Sequence, residues 1–185
     1  MGHRQTRIVY SALFLDFDGV LRTWPSEYAA LEASCSLPTG TIMQVAFERN
    51  RLERVVTGKI SDAAWRQEVV NELGRLFPQA SAATAIRSWS EPVGQIDSAV
   101  LKLIEKARTN CPVVLITNGT DRLSADLFKL GLNKTFDAIV NSSEVGFAKP
   151  DARIFLHALE VTHTDADRAI FVSARASHVA AGPLS

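Results

Sequence analysis

An apolar run that ends in two carboxylates constrains the fold of this chain more than any other feature. The run extends from Ile8 to Leu15 and leads directly into Asp16-Phe17-Asp18-Gly19. A nearly continuous apolar run is typical of a strand that is buried on both faces in a parallel sheet. The run is also too short to cross a membrane. We therefore predict a buried first strand with acidic side chains at its carboxyl end.

Helical and strand patterns alternate along the second half of the chain. The predicted elements are, in order, a helix at Ser98–Thr109, a strand at Cys111–Ile116, a helix at Asp121–Leu130, a strand at Phe136–Asn141, a helix at Asp151–Glu160 and a strand at Ala169–Val172. Such alternation predicts an α/β fold, in which a parallel sheet carries helices on both faces.

The segment between Trp24 and Pro92 has helical periodicity and no strand signal. Thr41–Val56 has apolar positions interleaved with charged ones, and a capped helix is predicted in Ser61–Leu76, so this segment is a helical insertion after the first strand. Trp24 and Tyr28 are expected either to line a substrate entrance or to pack between the insertion and the core. Four arginines are predicted to form a solvated helix face, with contact to an anionic substrate as the alternative: Arg49, Arg51, Arg54 and Arg66.

Composition excludes several classes of partner. The 185 residues include 20 Lys plus Arg and 20 Asp plus Glu, so the formal net charge is zero. A general binder of nucleic acid or of an anionic membrane would need a basic excess, and we expect neither partner. Cys35 and Cys111 are far apart and are predicted to be buried free thiols, which fits a cytoplasmic protein. No sequence feature indicates an oligomeric state.

Polar residues follow the predicted strands at the points where the strands end. Asp16 and Asp18 follow the first strand, Thr117 and Asn118 follow the second, and Lys149 follows the third. In open parallel sheets, ligands bind outside the carboxyl ends of the strands. We therefore expect these residues to converge on one site.

These residue types suit phosphoryl transfer. A carboxylate such as Asp16 can attack phosphorus, and a second one such as Asp18 can protonate the leaving oxygen and later activate water. The Thr117 hydroxyl and backbone amides can bind phosphoryl oxygens, while Lys149 balances their charge. Mg²⁺ would offset the repulsion between carboxylates and phosphate. A calcium loop, the alternative for Asp-x-Asp-Gly, needs further acids at alternate positions, and the next residues do not supply them.

The same residues resemble the motifs of the haloacid dehalogenase-like hydrolase superfamily. The matching stretches are Leu15-Asp16-Phe17-Asp18-Gly19-Val20-Leu21, Ile116-Thr117-Asn118-Gly119-Thr120 and Ser142-Ser143-Glu144-Val145-Gly146-Phe147-Ala148-Lys149-Pro150-Asp151. The third stretch has the form common in the subfamily with a helical cap between motifs one and two. The resemblance implies a Rossmann-like three-layer core at 1–22 and 93–185, a helical cap at 23–92, and magnesium-dependent hydrolysis of phosphate esters.

The resemblance also implies a role for each site residue. Asp16 would be the nucleophile and a metal ligand, and Asp18 would be the general acid and base, with its backbone carbonyl on the metal. Thr117 would bind phosphate with Asn118 beside it. Lys149 would hold both the nucleophile and the phosphate. The expected substrate is a small phosphorylated metabolite.

The fourth motif departs from the family pattern. Relatives usually have two acids after the last apolar strand, but Ala169–Val172 is followed by Ser173 and Ala174. Ser173 would bind Mg²⁺ weakly or not at all, because carboxylate charge drives such a site. Relatives also usually continue into a further helix and an edge strand, whereas this sequence ends at Ser185. We therefore expect the last edge strand to be missing.

Three functions remain open on this evidence. The first is a phosphatase with weakened metal binding, and the second is a non-catalytic protein that retains the fold. The third is a metal-independent 2-haloacid dehalogenase, since members with that activity carry a serine where Ser173 stands. Asp18 argues against the third, because those dehalogenases generally have a non-acidic residue there. Their later motif-four Asn and Asp are also replaced here, by Arg175 and His178.

Overall fold

The computed structural model describes residues 10–24 and 28–174. Arg175, His178 and the first residues of the predicted strand at Ile8–Leu15 lie outside this part of the chain. The elements follow in the order β1 (Ala12–Leu15), β2 (Arg22–Thr23), α1 (Ala29–Ser34), α2 (Thr41–Ala46), α3 (Arg49–Val56), α4 (Asp62–Leu76), α5 (Ala82–Ser90), β3 (Gln95–Ile96), α6 (Ser98–Arg108), β4 (Val113–Thr117), α7 (Leu123–Lys129), β5 (Ala138–Asn141), α8 (Ser142–Val145), α9 (Ala152–Thr162) and β6 (Ala169–Val172).

Four parallel strands form the central sheet in the order β5–β4–β1–β6. The two middle strands are the most buried, and every residue of β4 is buried. Side chains from the two faces of the sheet pack into separate clusters, one with α6 and α7 and the other with α9. The predicted α/β fold is therefore confirmed. Within the described residues, β6 forms one edge of this sheet and its side chains are partly exposed.

Five helices, α1 to α5, come after β1 and before β4 in the sequence. They have a hydrophobic core of their own. Trp65 and Trp89 are fully buried at its centre, 5.8 Å apart between ring centroids, and Phe47 packs edge-on against both. The predicted helical content of this segment is confirmed. Its division from the core at residues 22/23 and 92/93 stays a prediction.

The helical structure predicted for Thr41–Val56 is present, and it is divided into two helices. α2 ends at Ala46, and Glu48 then begins α3 by accepting hydrogen bonds from the backbone N–H groups of Asn50 and Arg51. Such a side-chain cap satisfies donors that have no partner inside the helix. The apolar periodicity continues across the break, so it does not reveal it.

A two-stranded antiparallel sheet joins the start and the end of the insertion. Arg22 pairs with Ile96 and Thr23 with Gln95. Neither strand is predicted from the sequence, because two residues are too few to show a periodic pattern. The pairing places the chain that leaves the core beside the chain that returns to it.

Other sequence-based boundaries move by one or two residues, and β1 begins at Ala12, after Tyr10 and Ser11 of the predicted strand. β4 begins at Val113 rather than Cys111 and includes Thr117, while α7 begins at Leu123 rather than Asp121. Both cysteines are free, as predicted; Cys35 is buried, but Cys111 is only partly buried, which corrects the prediction for that residue. None of the helices in residues 10–24 and 28–174 has the length and apolar content that a membrane span requires.

Candidate active site

The carboxyl ends of three strands bring the predicted site residues together. Asp16 follows β1, Thr117 is the last residue of β4, and Ser173 follows β6. Since β4 and β6 both pair in parallel with β1, all three residues lie at the same edge of the sheet. The convergence expected from the sequence is therefore present. Thr117 is almost completely buried, whereas Ser173 is exposed.

The Asp16 carboxylate is held from three directions. Its Oδ1 lies 2.5 Å from Nζ of Lys149 and accepts a 2.8 Å hydrogen bond from the backbone N–H of Phe17. Its Oδ2 accepts a 3.3 Å hydrogen bond from the Ser173 hydroxyl. The side chain is 19% exposed, so one face of the carboxylate remains open to an incoming group.

Lys149 is a mostly buried cation at the centre of the site. Besides the Asp16 ion pair, its Nζ donates a 2.9 Å hydrogen bond to the carbonyl of Ile116 and lies 5.5 Å from the ring centroid of Phe171. Burial lowers the pKa of the Lys149 ammonium, and the nearby charges of Asp16 and Asp18 oppose that shift. The lysine is therefore a fixed positive charge whose position is set from several sides.

The side chain of Asn118 forms hydrogen bonds with the backbone of Lys149. Its side-chain amide donates to the Lys149 carbonyl at 2.9 Å, and its side-chain oxygen accepts from the Lys149 backbone N–H at 2.7 Å. Both functional groups of the side chain are thus used to fix the loop that carries the lysine. A direct contact of Asn118 with phosphate stays a prediction, and any such contact would be made by its backbone.

Asp18 has two partners that the sequence does not reveal. Arg22 donates from Nε to Oδ1 at 2.7 Å and from Nη2 to Oδ2 at 2.8 Å, and the indole Nε1 of Trp24 donates to Oδ1 at 2.7 Å. The four-residue spacing between Asp18 and Arg22 does not by itself indicate a functional motif. Trp24 was expected to line an entrance or to pack between segments, and its hydrogen bond to Asp18 is an additional contact.

A cleft of about 550 Å³ opens beside Lys149, between α3 and the loop that follows α8. Its wall combines apolar and positively charged side chains, among them Phe47, Arg49, Leu52, Val56, Phe147 and Arg153. Arg49 is exposed, as predicted for the arginine face. That prediction is wrong for Arg51, Arg54 and Arg66, which are partly buried: Arg51 donates to the carbonyl of Val45, Arg54 pairs with Glu68, and Arg66 pairs with Asp62.

Hydrogen bonds join the helical insertion to the core. The backbone N–H of Asp62 donates to Asp121 at 2.8 Å, and the Thr120 hydroxyl donates to the Asp62 carboxylate at 3.2 Å. Burial raises the pKa of Asp62, and the charges of Arg66 and Arg122 oppose that shift. The insertion is thus fastened to the loop that follows β4, next to the site.

A model of haloacid dehalogenase-like hydrolases matches residues 10–183 of the chain. The chain belongs to the haloacid dehalogenase-like hydrolase family. This confirms the resemblance carried by the three motifs, and the helices between the first two motifs are consistent with the cap of that subfamily.

Two curated relatives match parts of the chain. Pyrimidine 5'-nucleotidase YjjG of Escherichia coli strain K12 is 35% identical over 98 residues, which are 52% of this chain and 41% of that protein. Acyl-CoA dehydrogenase family member 10 of Mus musculus is 29% identical over 175 residues, which are 88% of this chain and 16% of that protein. The chain therefore spans less than half the length of the curated relatives it matches.

Solved structures of the family share the fold. A haloacid dehalogenase family enzyme of Bacteroides thetaiotaomicron, in complex with magnesium and inorganic phosphate, has a TM-score of 0.68 and 20% identity, covering 88% of this chain and 83% of that one. L-2-haloacid dehalogenase of Xanthobacter autotrophicus, with chloropropionic acid covalently bound, has a TM-score of 0.64 and 18% identity, covering 88% of this chain and 69% of that one.

The oxygen donors of this family member suit a weakly held magnesium ion. The Asp16 carboxylate and the Ser173 hydroxyl are adjacent, and both are hard oxygen ligands. No group of three or more His, Cys, Asp or Glu side chains suited to a metal ion exists in residues 10–24 and 28–174. Mg²⁺ is commonly bound by one or two carboxylates together with waters and substrate phosphate, so the donors present fit the ion.

Proposed function

We propose that this hydrolase cleaves phosphate monoesters through a phosphoryl-aspartate intermediate on Asp16. The supporting observation is the Asp16 carboxylate itself, which is held at the end of β1 by Lys149 with one face open, two residues before a second carboxylate. A carboxylate that is fixed and partly desolvated beside a cation is well placed to attack an electrophilic phosphorus.

The proposed reaction has two steps. In the first, a carboxylate oxygen of Asp16 forms a bond to phosphorus, the bond to the leaving oxygen breaks, and Asp18 gives that oxygen its proton. In the second, Asp18 takes a proton from water, the water oxygen attacks phosphorus, and the acyl phosphate breaks to restore Asp16. Thr117 and Lys149 bind the phosphoryl oxygens in both steps and offset their charge.

We propose Mg²⁺ as a weakly bound cofactor. Asp16, the backbone carbonyl of Asp18 and Ser173 would hold it, and it would reduce the repulsion between the carboxylates and the substrate phosphate. Replacement of Ser173 by Asp tests this assignment, because an added carboxylate should bind the ion at least tenfold more tightly, about 1.4 kcal/mol. Calorimetric titration of parent and Ser173→Asp protein with MgCl₂ measures it, and equal affinities would remove Ser173 from the metal site.

The cleft supports a small phosphorylated metabolite as the substrate. Leu52, Val56 and Phe147 provide apolar surface for the leaving group, and Arg49 provides a charge for a second anionic group. The pyrimidine nucleotidase among the relatives makes nucleoside monophosphates the first metabolites to test. Two free cysteines suit a reducing compartment, and we propose a cytoplasmic location.

The direct test measures phosphate release from p-nitrophenyl phosphate with Mg²⁺ by the parent protein and by the Asp16→Asn variant. We expect activity in the parent and its loss in the variant. The matched control is Asp137→Asn, which removes another ion-paired carboxylate at the opposite edge of the sheet and should leave turnover largely unchanged. Mass spectrometry of rapidly quenched protein should detect one phosphoryl group on the peptide that contains Asp16. Equal turnover in Asp16→Asn would refute the mechanism.

Dehalogenation is the alternative activity, and the hydrogen bond between Ser173 and Asp16 is the observation that favours it. A carboxylate can also displace halide from carbon, which requires no metal ion and no proton for the leaving group. Halide release from a 2-haloacid, with no phosphate release from any ester, would establish this alternative. Absence of both activities and of Mg²⁺ binding would identify a non-catalytic protein.

A further inference from the structure

We propose that Arg22 is a positioning residue that fixes the Asp18 carboxylate so that Oδ2 carries the transferred proton. This inference rests on the proposed phosphatase function. Arg22 makes a two-point contact with Asp18, Nε to Oδ1 at 2.7 Å and Nη2 to Oδ2 at 2.8 Å. Paired, parallel bonds of this kind define the plane and the rotation of a carboxylate.

The two oxygens of Asp18 are not equivalent in this arrangement. Oδ1 accepts two hydrogen bonds, from Nε of Arg22 and from the Trp24 indole, whereas Oδ2 accepts one among the described residues. A carboxylate oxygen has about two lone pairs, so Oδ1 is saturated and Oδ2 keeps one lone pair. Oδ2 is therefore the atom that gives the proton to the leaving group and takes it from water.

Arg22 itself is rigidly held. Its side chain has no exposed surface, and its guanidinium lies 4.1 Å from the ring centroid of Phe17 and 4.4 Å from that of Trp24. Backbone pairing of Arg22 with Ile96 fixes the other end of the residue. A guanidinium held between two aromatic rings can keep Asp18 in one orientation throughout the reaction.

The contact between Arg22 and Asp18 is also linked to the end of the helical insertion. Nη1 of Arg22 lies 3.8 Å from the buried Asp126 carboxylate, which accepts a 2.9 Å hydrogen bond from Nε of Arg122. Arg122 in turn donates to the backbone carbonyls of Ser90 and Pro92, where the insertion returns to the core. The position of Asp18 therefore depends on the seating of the insertion.

The test uses substrates that differ in their need for a proton. Nitrophenolate leaves readily without protonation, phenolate less so, and an alkoxide such as benzyl oxide hardly at all. If Arg22 positions the general acid, its loss should lower kcat/KM little with p-nitrophenyl phosphate and progressively more with phenyl and benzyl phosphate. The ratio kcat/KM is the right measure because it ends at departure of the leaving group, whereas kcat also contains the second step, in which Asp18 acts as base for every substrate. General acid catalysis contributes about 10²- to 10⁴-fold, so we expect kcat/KM for benzyl phosphate to fall about 10²-fold in Arg22→Met and less than about threefold for p-nitrophenyl phosphate.

Three further variants separate positioning from folding. Arg22→Lys retains the charge and should recover part of the benzyl phosphate activity. Trp24→Phe retains an aromatic ring but loses the donor to Oδ1, and we expect an about tenfold loss that is again confined to poor leaving groups. Arg108→Met removes an equivalent two-point contact, with Asp137 at the opposite edge of the sheet, and should change no substrate selectively.

A second measurement does not depend on turnover. The Trp24 indole N–H resonance, assigned by its absence in Trp24→Phe, reports the hydrogen bond to Asp18. We expect Asp18→Asn and Arg22→Met each to shift it, while Arg108→Met leaves it in place. Equal losses of kcat/KM across the substrate series, or an unshifted indole resonance in Arg22→Met, would overturn the role of Arg22. Absence of turnover in the parent protein would instead overturn the proposed function and, with it, the catalytic role proposed for the contact between Arg22 and Asp18.

Discussion

Replacement of Gly58 by alanine tests how closely the insertion must approach the core. Gly58 follows α3 in a left-handed conformation, with φ at +69°, and a Cβ atom added there would lie 2.1 Å from the carbonyl oxygen of Ser143. Ser143 belongs to α8, next to the loop that carries Lys149. The substitution therefore forces the insertion and the core apart beside the cleft.

The chain offers a matched control for the backbone cost. Gly40 also has a left-handed conformation, with φ at +84°, but no atom lies within 4 Å of an added Cβ. Alanine in this region costs about 1–2 kcal/mol, partly offset by about 0.4–1 kcal/mol of lost unfolded-chain entropy, so Gly40→Ala should destabilise by about 1 kcal/mol. Overpacking typically adds about 1–3 kcal/mol, so Gly58→Ala should cost about 2–4 kcal/mol.

Urea unfolding measures both free energies, and steady-state kinetics with phenyl phosphate measures the effect on the cleft. Thr57 and Lys59 flank Gly58 and line the cleft, so we expect Gly58→Ala to raise KM at least several-fold. Gly40→Ala should leave KM unchanged. Equal losses of unfolding free energy in the two variants, together with equal KM values, would show that the contact with Ser143 is unimportant and would refute the reasoning.

Three other substitutions test single contacts. Glu32→Ala should lower the unfolding free energy by about 3 kcal/mol in urea titrations, because this buried carboxylate accepts two backbone N–H bonds; Glu32→Gln should lose less. Asn118→Ala should lower kcat for p-nitrophenyl phosphate, because it removes the two hydrogen bonds that hold the Lys149 loop; an unchanged kcat would show that these bonds do not position Lys149. Arg108 holds the pKa of Asp137 below its usual 3.8, so the destabilisation by Asp137→Asn should be full at neutral pH and shrink as the pH falls below about 4; pH-dependent unfolding measures it.

The fold was predictable where burial produces a long and regular pattern. β1 and β4 lie in the middle of the sheet and are almost entirely buried, and their sequences are apolar except for Thr117 at the end of β4. The break between α2 and α3 was not predictable in the same way, because it depends on a side-chain cap at Glu48 and leaves the apolar periodicity intact. The pairing of β2 with β3 joins residues that are 72 and 74 positions apart in the sequence, and each strand is too short to carry a signal.

The site was predictable as far as it consists of residues at strand ends. Asp16, Lys149 and Ser173 are in contact because parallel strands end at one edge of the sheet, which the sequence order of the elements implies. The partners of Asp18 were not predicted, although Arg22 is only four residues away. A local turn, in which the Arg22 N–H donates to the Phe17 carbonyl and the Gly19 N–H to the Arg22 carbonyl, brings Arg22 to Asp18. This turn has no residue pattern of its own, and the aromatic packing of Phe17 and Trp24 around the guanidinium is tertiary.

The charges of the site cancel in pairs, and this gives the serine at position 173 a physical meaning. Asp16 is offset by Lys149 and Asp18 by Arg22, while Ser173 adds no charge. An acid at position 173 would add a negative charge without a paired side chain, so a bound cation would have to balance both that charge and the charge of the substrate phosphate. With serine at position 173, a bound cation would have to balance only the charge of the substrate phosphate. We therefore expect the weaker set of ligands that we propose for Mg²⁺ to accompany a smaller charge to be neutralised, which ties the proposed weak metal binding to a lower requirement for the ion.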